Sequence, residues 1–543
     1  MFRNERSLYR ATCNRCKKAI FSTYAPESPY TVYCKECWFS DTWDPLEYGV
    51  AYDWNKPFFE QFDALKIRVP RIATMHVKMN TNSEYANFLG ESKNVYLAYS
   101  ILRSENIMYS RVVDDSRDCI DCSDLQHGEL CYETIQSDNM NRARYVYSCT
   151  NCINSSFLFD CVNCQNCFMS SNLRSKQYVF RNRQLSKEAY KAELEKINRD
   201  SYRVTQTLLE EYRHMMRVAL HKYADMLKSV NCIGDNILDS KNVRYSFDIY
   251  NTEDCKYSDR LVGPKDSYDL YGAAAGELHY EGMAVTYGGH ATKFCLIGDD
   301  MRDSAYTDYC LHSSNLFGCI GLKKKKYCIL NKEYTQSEYE ALVPKIIAHM
   351  NSVPYTDPGG RVYRYGEFFP PYQYAYNETL AHEDVPLTKQ EVLARGYQWR
   401  DPDHRELKIK RLAETLPDDI REVDDAITNE ILGCEHGAKC NEQCTTAFKI
   451  TPQELQFYKQ MQIPLPRLCP NCRHYARLKI RNPHVLWRRT CRCAGTVSES
   501  GTWKNTAAHF HGAAHCPNTF ETTYAPDRSE IVYCEQCYQQ EIS

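Results

Sequence analysis

Between residues 94 and 189 small and apolar residues return at every third position, and the make-up of those positions returns every twelve. Successive segments read NVYLAYSILRSE, NIMYSRVVDDSR, DCIDCSDLQHGE and LCYETIQSDNMN. One column holds Val95, Ile107, Cys119, Cys131, Ala143, Ser155, Cys167 and Val179. A second holds Ile101, Val113, Leu125, Ser137, Cys149, Cys161, Leu173 and Leu185. The columns between them are small: Ala98, Ser110, Cys122 and Thr134, then Ser104, Ser116, Gly128, Cys152 and Cys164. A helix would repeat near 3.6 residues and a flat strand at 2. A fixed longer period is the signature of stacked coils, each covering the next. Each segment therefore reads as one rung of a β-solenoid with a narrow interior. A second array keeps the same period through Val243, Ser246, Ile249, Thr252, Cys255, Ser258, Leu261, Pro264, Ser267, Leu270 and Ala273. It is expected to slip at Ala273–Gly276 and to resume in a shifted frame at Cys295, Cys310, Cys319 and Cys328.

The two arrays end alike, KQYVFRNRQLSKEAY over 176–190 against KKYCILNKEYTQSEY over 325–339. A coil end is an open sheet edge and needs a cover. The first cover is expected to be a long helix, since 186–228 lacks Gly and Pro and Leu208, Tyr212, Met215, Ala219, Tyr223 and Met226 mark one face. The second opens with the capping box Thr335-x2-Glu338 and should kink at Pro344. The fold class follows: mainly β, two β-solenoid arrays of twelve-residue rungs with capping helices, flanked by small zinc-ribbon or treble-clef-like modules.

Those modules come from the cysteines. The 543 residues include 28 Cys, with 67 Lys+Arg against 70 Asp+Glu. The near-neutral balance excludes a globally basic nucleic-acid coat. No apolar run reaches the length of a membrane span, and the charged start MFRNERSLYR has no signal-peptide core. A cytoplasmic location is expected, where thiols serve as metal ligands or small buried side chains rather than disulfides. Central cysteines such as Cys149, Cys152, Cys161 and Cys164 all sit on the every-third lattice and read as solenoid filling, with metal the competing reading.

The terminal cysteines follow other spacings. Cys13-x2-Cys16 and Cys34-x2-Cys37 form two knuckles able to present four thiolates to one Zn2+. A module of this size buries too little apolar surface to fold unaided, so the metal would supply the missing stability. The stretch from Cys16 to Trp38 aligns with Cys516 to Tyr538 at a constant offset, with nine of 23 positions identical. Leu8–Cys13 further matches Leu486–Cys491, so the C-terminal copy carries an insertion and its expected ligands are Cys491, Cys516, Cys534 and Cys537. Cys493, His509, His511 and His515 are left over in the insertion and could bind a further metal or replace one of the four. A third set is Cys440, Cys444, Cys469 and Cys472, with a helix predicted after the capping box Thr451-Pro452-Gln453-Glu454. The segment CNEQCTTAFKITPQELQFYKQMQIPLPRLCPNCRH resembles the probable zinc-ribbon domain family of bacteria, which implies zinc and carries no known activity. It departs from that pattern in its first knuckle, where Cys434 or His436 could substitute. The whole chain resembles uncharacterised bacterial zinc-ribbon proteins with a TYAPDRSEIVYCEQCY-type ending and paired repeats. About three Zn2+ per chain are expected and no small-molecule cofactor.

Inward positions are small, so Tyr96, Tyr99, Tyr109, Tyr132, Tyr145 and Tyr147 must point outward beside Arg103, Arg111, Arg142 and Arg144. Such rows stack bases or sugars, or else cover the solenoid beneath helices and zinc modules, which is the favoured reading. Residues 455–498 hold Lys459, Arg467, Arg473, Arg477, Lys479, Arg481, Arg488, Arg489 and Arg492 without an acid. That strip suits phosphates, or docks onto the acidic run 414–435. Asp114, Asp115, Asp118, Asp121 and Asp124 read as solvated turns, with a hard cation the alternative. No phosphate loop, nucleophile elbow, HExxH or dinucleotide fingerprint is present. The leading expectation is a multi-zinc scaffold that binds a macromolecule, protein or nucleic acid. The second is a nucleic-acid binder using 455–498, and the third an enzyme acting on sugar or acyl groups along a solenoid face. Boundaries are read as an N-terminal zinc module 1–45, connector 46–81, first solenoid 82–185 and its helix 186–229. The second solenoid spans 230–334, its cap 335–351, a strap 352–433, a zinc ribbon 434–480 and a C-terminal zinc module 481–543.

Overall fold

The computed structural model describes residues 3–542 except Lys78, Tyr287, Tyr372, 402–406 and 494–504, so the end of the basic strip, 494–498, lies outside the described residues. The chain is mainly β, with two long and largely parallel sheets. The first runs from His76–Val77 to Arg183–Gln184 in 15 strands, the second from Met226–Leu227 to Lys332–Glu333 in 11. Residues pair across an offset of twelve: Arg111 with Ser123, Cys119 with Cys131, Tyr132 with Arg144, and in the second sheet Phe247 with Asp259 and Ser314 with Lys326. The core of the first sheet is the every-third column, from Ala86 and Leu89 through Cys119, Cys122, Cys149 and Cys152 to Val179. In the second sheet the column shifts by one residue between Val285 and Thr292, where the pairing offset grows by one, as in Glu277 with His290. The shift does not fall at Ala273–Gly276 as expected. Ala273 still packs in the core with Leu270 and Val285, and the extra residue is absorbed beside Gly288 and Gly289, where side chains are absent.

Another column explains how the backbone turns so often. At every third position the chain adopts the left-handed conformation, mostly with residues other than glycine, as at Asn94 (φ 54°), Asn106 (φ 57°) and Asp118 (φ 54°). Most side chains resist this by about 1–2 kcal/mol, and Asn and Asp resist it least. Here they also form ladders: Asn94 Nδ2 donates to Asn106 Oδ1 (2.8 Å), and Asn106 Nδ2 to Asp118 Oδ1 (2.7 Å). Asn139, Asn151 and Asn163 form a second ladder, and Asn231, Asn242 and Asp254 a third. Inside, Ser and Cys play one role. Ser104 Oγ donates to Leu102 O and accepts from Ser116 N (2.6 and 3.1 Å), while Cys149 Sγ donates to Tyr147 O and accepts from Cys161 N (3.4 and 3.3 Å). Burial holds the Cys149 and Cys310 thiols well above their ordinary range.

Both sheets close with an antiparallel hairpin, Val179 opposite Gln184 and Cys328 opposite Glu333. A left-handed Asn next to each hairpin substitutes its side chain for a missing strand. Asn182 Oδ1 accepts from Ser171 N (2.9 Å) and Asn331 Oδ1 from Ile320 N (2.7 Å). The long first helix is in fact two, Lys187–Glu195 and Tyr202–Val218, capped by Ser186 and Ser201. Ala219, Tyr223 and Met226 lie beyond them, because Leu220–Lys222 leaves the helix to pair with Ile531–Tyr533. The helix Gln336–Ser352 carries the expected capping box and includes Pro344.

The outward tyrosines are largely covered. Tyr109 donates to Glu454 (3.0 Å), Tyr132 packs on Phe457 and Tyr458, and Tyr99 meets Glu383 and His474. Arg111 is buried on Glu383 (2.9 Å), and Arg144 donates to Met461 O (2.6 Å). A buried ion network joins the sheets to each other. Arg481 bridges Asp124 of the first sheet (3.2 Å) and Asp248 of the second (2.8 Å). Arg473 and Arg477 both reach Asp121 (2.8 and 2.7 Å). The clustered aspartates are therefore not all solvated turns: Asp121 and Asp124 are buried ion-pair partners, Asp114 pairs with Arg103, and Asp118 accepts from Asn106.

Three outcomes follow. Asn106→Ala should cost about 1–2 kcal/mol in urea unfolding and Asn106→Gly less, because glycine keeps the backbone conformation and loses only the ladder. Asp121→Ala removes the nearest carboxylate from two buried guanidinium groups, leaving Arg473 with Glu454 (3.7 Å) and Arg477 with Glu133 (3.4 Å), and should cost about 3 kcal/mol. His484 donates to Asp259 (2.6 Å); burial alone would lower its pKa, but Asp259 and Asp248 outweigh it and raise the value to about 9. A raised value makes the contribution full below about 6.5 and lost as pH climbs through about 9. The urea midpoint should therefore fall across that window, and the fall should be smaller in His484→Gln.

Candidate metal centres

The N-terminal module is built so that its sulfurs converge. Strands Tyr9–Thr12 and Ala19–Ser22 form an antiparallel pair whose turn carries Cys13 and Cys16. Val32–Tyr33 leads into Cys34, the N-cap of helix Lys35–Phe39, which contains Cys37. The four sulfurs lie within 4.8 Å of one another, Cys16 and Cys34 being 3.8 Å apart. A disulfide would need about 2.05 Å. A tetrahedral ion bonded to sulfur at 2.3 Å has an edge of about 3.8 Å. Backbone N–H groups point at the sulfurs, Cys34 N to Cys13 (3.3 Å) and Cys37 N to Cys34 (3.4 Å). Burial raises the Cys13 thiol, and the N–H groups of Cys34, Cys16 and Arg15 more than offset it, so the thiolate is favoured.

The C-terminal module repeats this plan. Trp487–Thr490 pairs with Thr519–Thr522, then Ile531–Tyr533 leads into helix Glu535–Ile542. Cys491, Cys516, Cys534 and Cys537 lie within 4.8 Å of one another, with Cys516 and Cys534 3.8 Å apart. Cys534 N donates to Cys491 Sγ (3.2 Å), as Cys34 N does to Cys13. Of the leftover residues, Cys493, His509 and His511 gather beside Cys537, while His515 Nδ1 lies 3.2 Å from Cys493 O.

The middle module differs in one ligand position. Its tight group is Cys434, Cys444, Cys469 and Cys472, with Cys434 to Cys472 at 3.8 Å and Cys469 to Cys472 at 3.5 Å. Cys469 N donates to Cys434 Sγ (3.2 Å), so Cys434 stands where Cys13 and Cys491 stand in the other modules. Leu432–Gly433 pairs antiparallel with Ala447–Phe448, and Cys434, just past the first strand, donates its N–H to Thr446 O (2.8 Å), two residues from Cys444. Cys440, expected in the first knuckle, lies beside the group, 3.7 Å from Cys472, in a second cluster with His436 and Glu442. The residues between Cys434 and Cys444 hide their approach from any knuckle spacing; the Gly433–Ala447 ladder brings the two segments together. Helix Pro452–Met461 opens with the anticipated capping box, and helix Pro470–Leu478 carries Cys472.

The strip expected to be a basic surface faces inward over most of its length. Arg473, Arg477 and Arg481 form the buried network above, and Arg489 is buried near Ala525 O (3.2 Å). Helix Pro470–Leu478 carries Arg473 and Arg477 onto the first sheet, where Met108, Ile120 and Tyr132 share a core with Leu455 and Tyr458. Arg467 holds Ala413 O (2.8 Å) and Leu416 O (2.9 Å), and Lys459 meets Asp425 (2.7 Å), so part of the strip docks on the acidic run. Lys479 pairs with Glu442; Arg488 and Arg492 are exposed.

Among the described residues no helix is long and apolar enough to cross a membrane. No protein family matches the chain, and no curated protein does. Among solved structures, a "putative acetyltransferase" from Desulfovibrio desulfuricans G20 is similar over 48% of this chain and 71% of its own, at 8% identity and a TM-score of 0.11. A likeness of that size carries no argument about fold or chemistry. What stands is that several cysteine-rich groups of this chain are shaped to hold metal ions.

Proposed function

We propose that the chain is a structural zinc protein: a scaffold of two β-solenoids braced by three zinc modules, which presents its outer faces to a macromolecular partner. The observation that carries this is the sulfur geometry. In all three modules a sulfur–sulfur separation of 3.8 Å matches the edge of a zinc–thiolate tetrahedron, and a backbone N–H group donates to the sulfur of Cys13, Cys434 and Cys491. Four sulfur ligands saturate the ion and leave no open position, so the zinc acts on folding rather than on a substrate. The offset of twelve with a left-handed turn at every third residue supports the solenoid reading.

For the partner, the exposed face of the second array is the best-supported surface. Tyr245 and Tyr257 stack at 5.6 Å with rings 9° apart, both exposed, and Lys256 lies over the exposed Tyr268 ring. Exposed aromatic rows beside cations bind protein or nucleic-acid surfaces. The alternative nucleic-acid site on 455–498 is weakened by the burial of Arg473, Arg477, Arg481 and Arg489.

Metal analysis of the purified chain should return at least three zinc ions, and strong chelation should lower the unfolding temperature sharply. A metal-free chain of unchanged stability overturns the reading. Cys434→Ser should lose one ion, whereas Cys440→Ser should keep the full complement.

A further inference from the structure

The C-terminal module contains more ligand atoms than one ion can use. Cys493 Sγ lies 2.9 Å from His509 Nδ1 and 3.3 Å from His511 Nε2, and His511 Nε2 lies 3.4 Å from Cys537 Sγ. The four ligand atoms sit within 4.8 Å of one another, and Cys493, His509 and Cys537 are buried. A tetrahedral zinc with two thiolates and two imidazoles has sulfur–nitrogen edges of about 3.5 Å. Hydrogen bonding alone accounts poorly for this set. His511 Nε2 faces two sulfurs at once, and one proton satisfies only one such contact, whereas a cation at the centre satisfies all of them.

The surroundings are those of a ligated histidine. His509 Nε2 lies 2.8 Å from Glu541 Oε1, and both side chains are almost fully buried at 0% and 2% exposure. A carboxylate there fixes the tautomer, so that Nε2–H donates to Glu541 and the Nδ1 lone pair points toward Cys493. Asn505 Nδ2 donates to Cys493 Sγ (2.8 Å), and Tyr533 donates to Asn505 Oδ1 (2.5 Å), which orients that amide. The N-terminal module, otherwise built alike, has no insertion and no such neighbours.

We infer that Cys493, His509, His511 and Cys537 hold a further zinc ion, with the Cys537 thiolate bridging it to the ion held by Cys491, Cys516 and Cys534. This rests on the reading that the cysteine sets bind zinc. The bridge ties the insertion to helix Glu535–Ile542 and converts a single-ion module into a binuclear one.

The test is zinc content of the full chain by native mass spectrometry and elemental analysis, with cadmium-113 NMR of the cadmium-substituted protein. The expected result is a fourth ion in the native chain, one ion fewer in Cys493→Ser, and scalar coupling between two cadmium resonances through the shared sulfur. Should Cys493→Ser fail to fold, His511→Gln reads the same loss. Three ions in the native chain, unchanged in both variants and with no cadmium–cadmium coupling, overturn the bridged site while leaving the structural-zinc reading intact. A native chain with no zinc overturns both.

Discussion

The constraint on which the structure depends is spatial. Every third side chain of the two sheets must fit between strands that stack about 4.8 Å apart and turn again at once. Aromatic and charged groups are absent from the core clusters of both columns, which hold aliphatic residues, Met140 and Cys, with buried Ser such as Ser104 and Ser246 between them. The turning backbone must visit the left-handed region repeatedly, which selects Asn and Asp where the side-chain ladders form. The remaining positions point outward, and much of that outward surface is aromatic. It cannot be left bare without inviting association, and helices and cysteine modules cover a large part of it.

That covering has an internal symmetry. Val32–Tyr33 of the N-terminal module pairs with Arg71–Ile72, just ahead of the first sheet. Ile531–Tyr533 of the C-terminal module pairs with Leu220–Lys222, just ahead of the second. Each module then reaches the far end of the opposite sheet through the same position of the duplicated motif. Trp38 packs on Tyr309 (5.3 Å) and accepts from Lys323 through its carbonyl, while Tyr538 meets Asp160 and Arg174. Equivalent buried contacts back this up, Arg71 with Tyr24 and His221 with Tyr524. Between the sheets the middle module supplies Arg473, Arg477 and Arg481. Such buried pairs contribute little net stability against an apolar alternative, but they penalise any misregistered docking severely.

Much of this is legible in the chain because it is local and periodic. The period of three and the repeat of twelve are visible in the columns, and the capping boxes at Thr335 and Thr451 are four-residue signals. What escapes depends on distant partners. The frame shift itself shows in the displaced column from Cys295 onward, but its place near Gly288 does not. The end of the helix at Val218 depends on a strand more than three hundred residues later. The approach of Cys434 to Cys444, Cys469 and Cys472 depends on a hairpin ladder rather than a knuckle spacing. The basic strip looks like a surface because its counter-charges, Asp121, Asp124 and Asp248, are remote in sequence. The ladder column could have been found: Asn94, Asn106 and Asp118 repeat at the rung length, one residue before the inward column.

The crossed attachment of the two cysteine modules sets an order of events during synthesis. A ribosome releases Trp38 long before Tyr309 and Lys323 exist, so the first module must wait with its aromatic face uncovered until most of the chain has emerged. The last module meets no such delay, since Asp160 and Arg174 are already in place when Tyr538 arrives. The aromatic face of the first cysteine module thus stays uncovered far longer during synthesis than that of the module built around Tyr538.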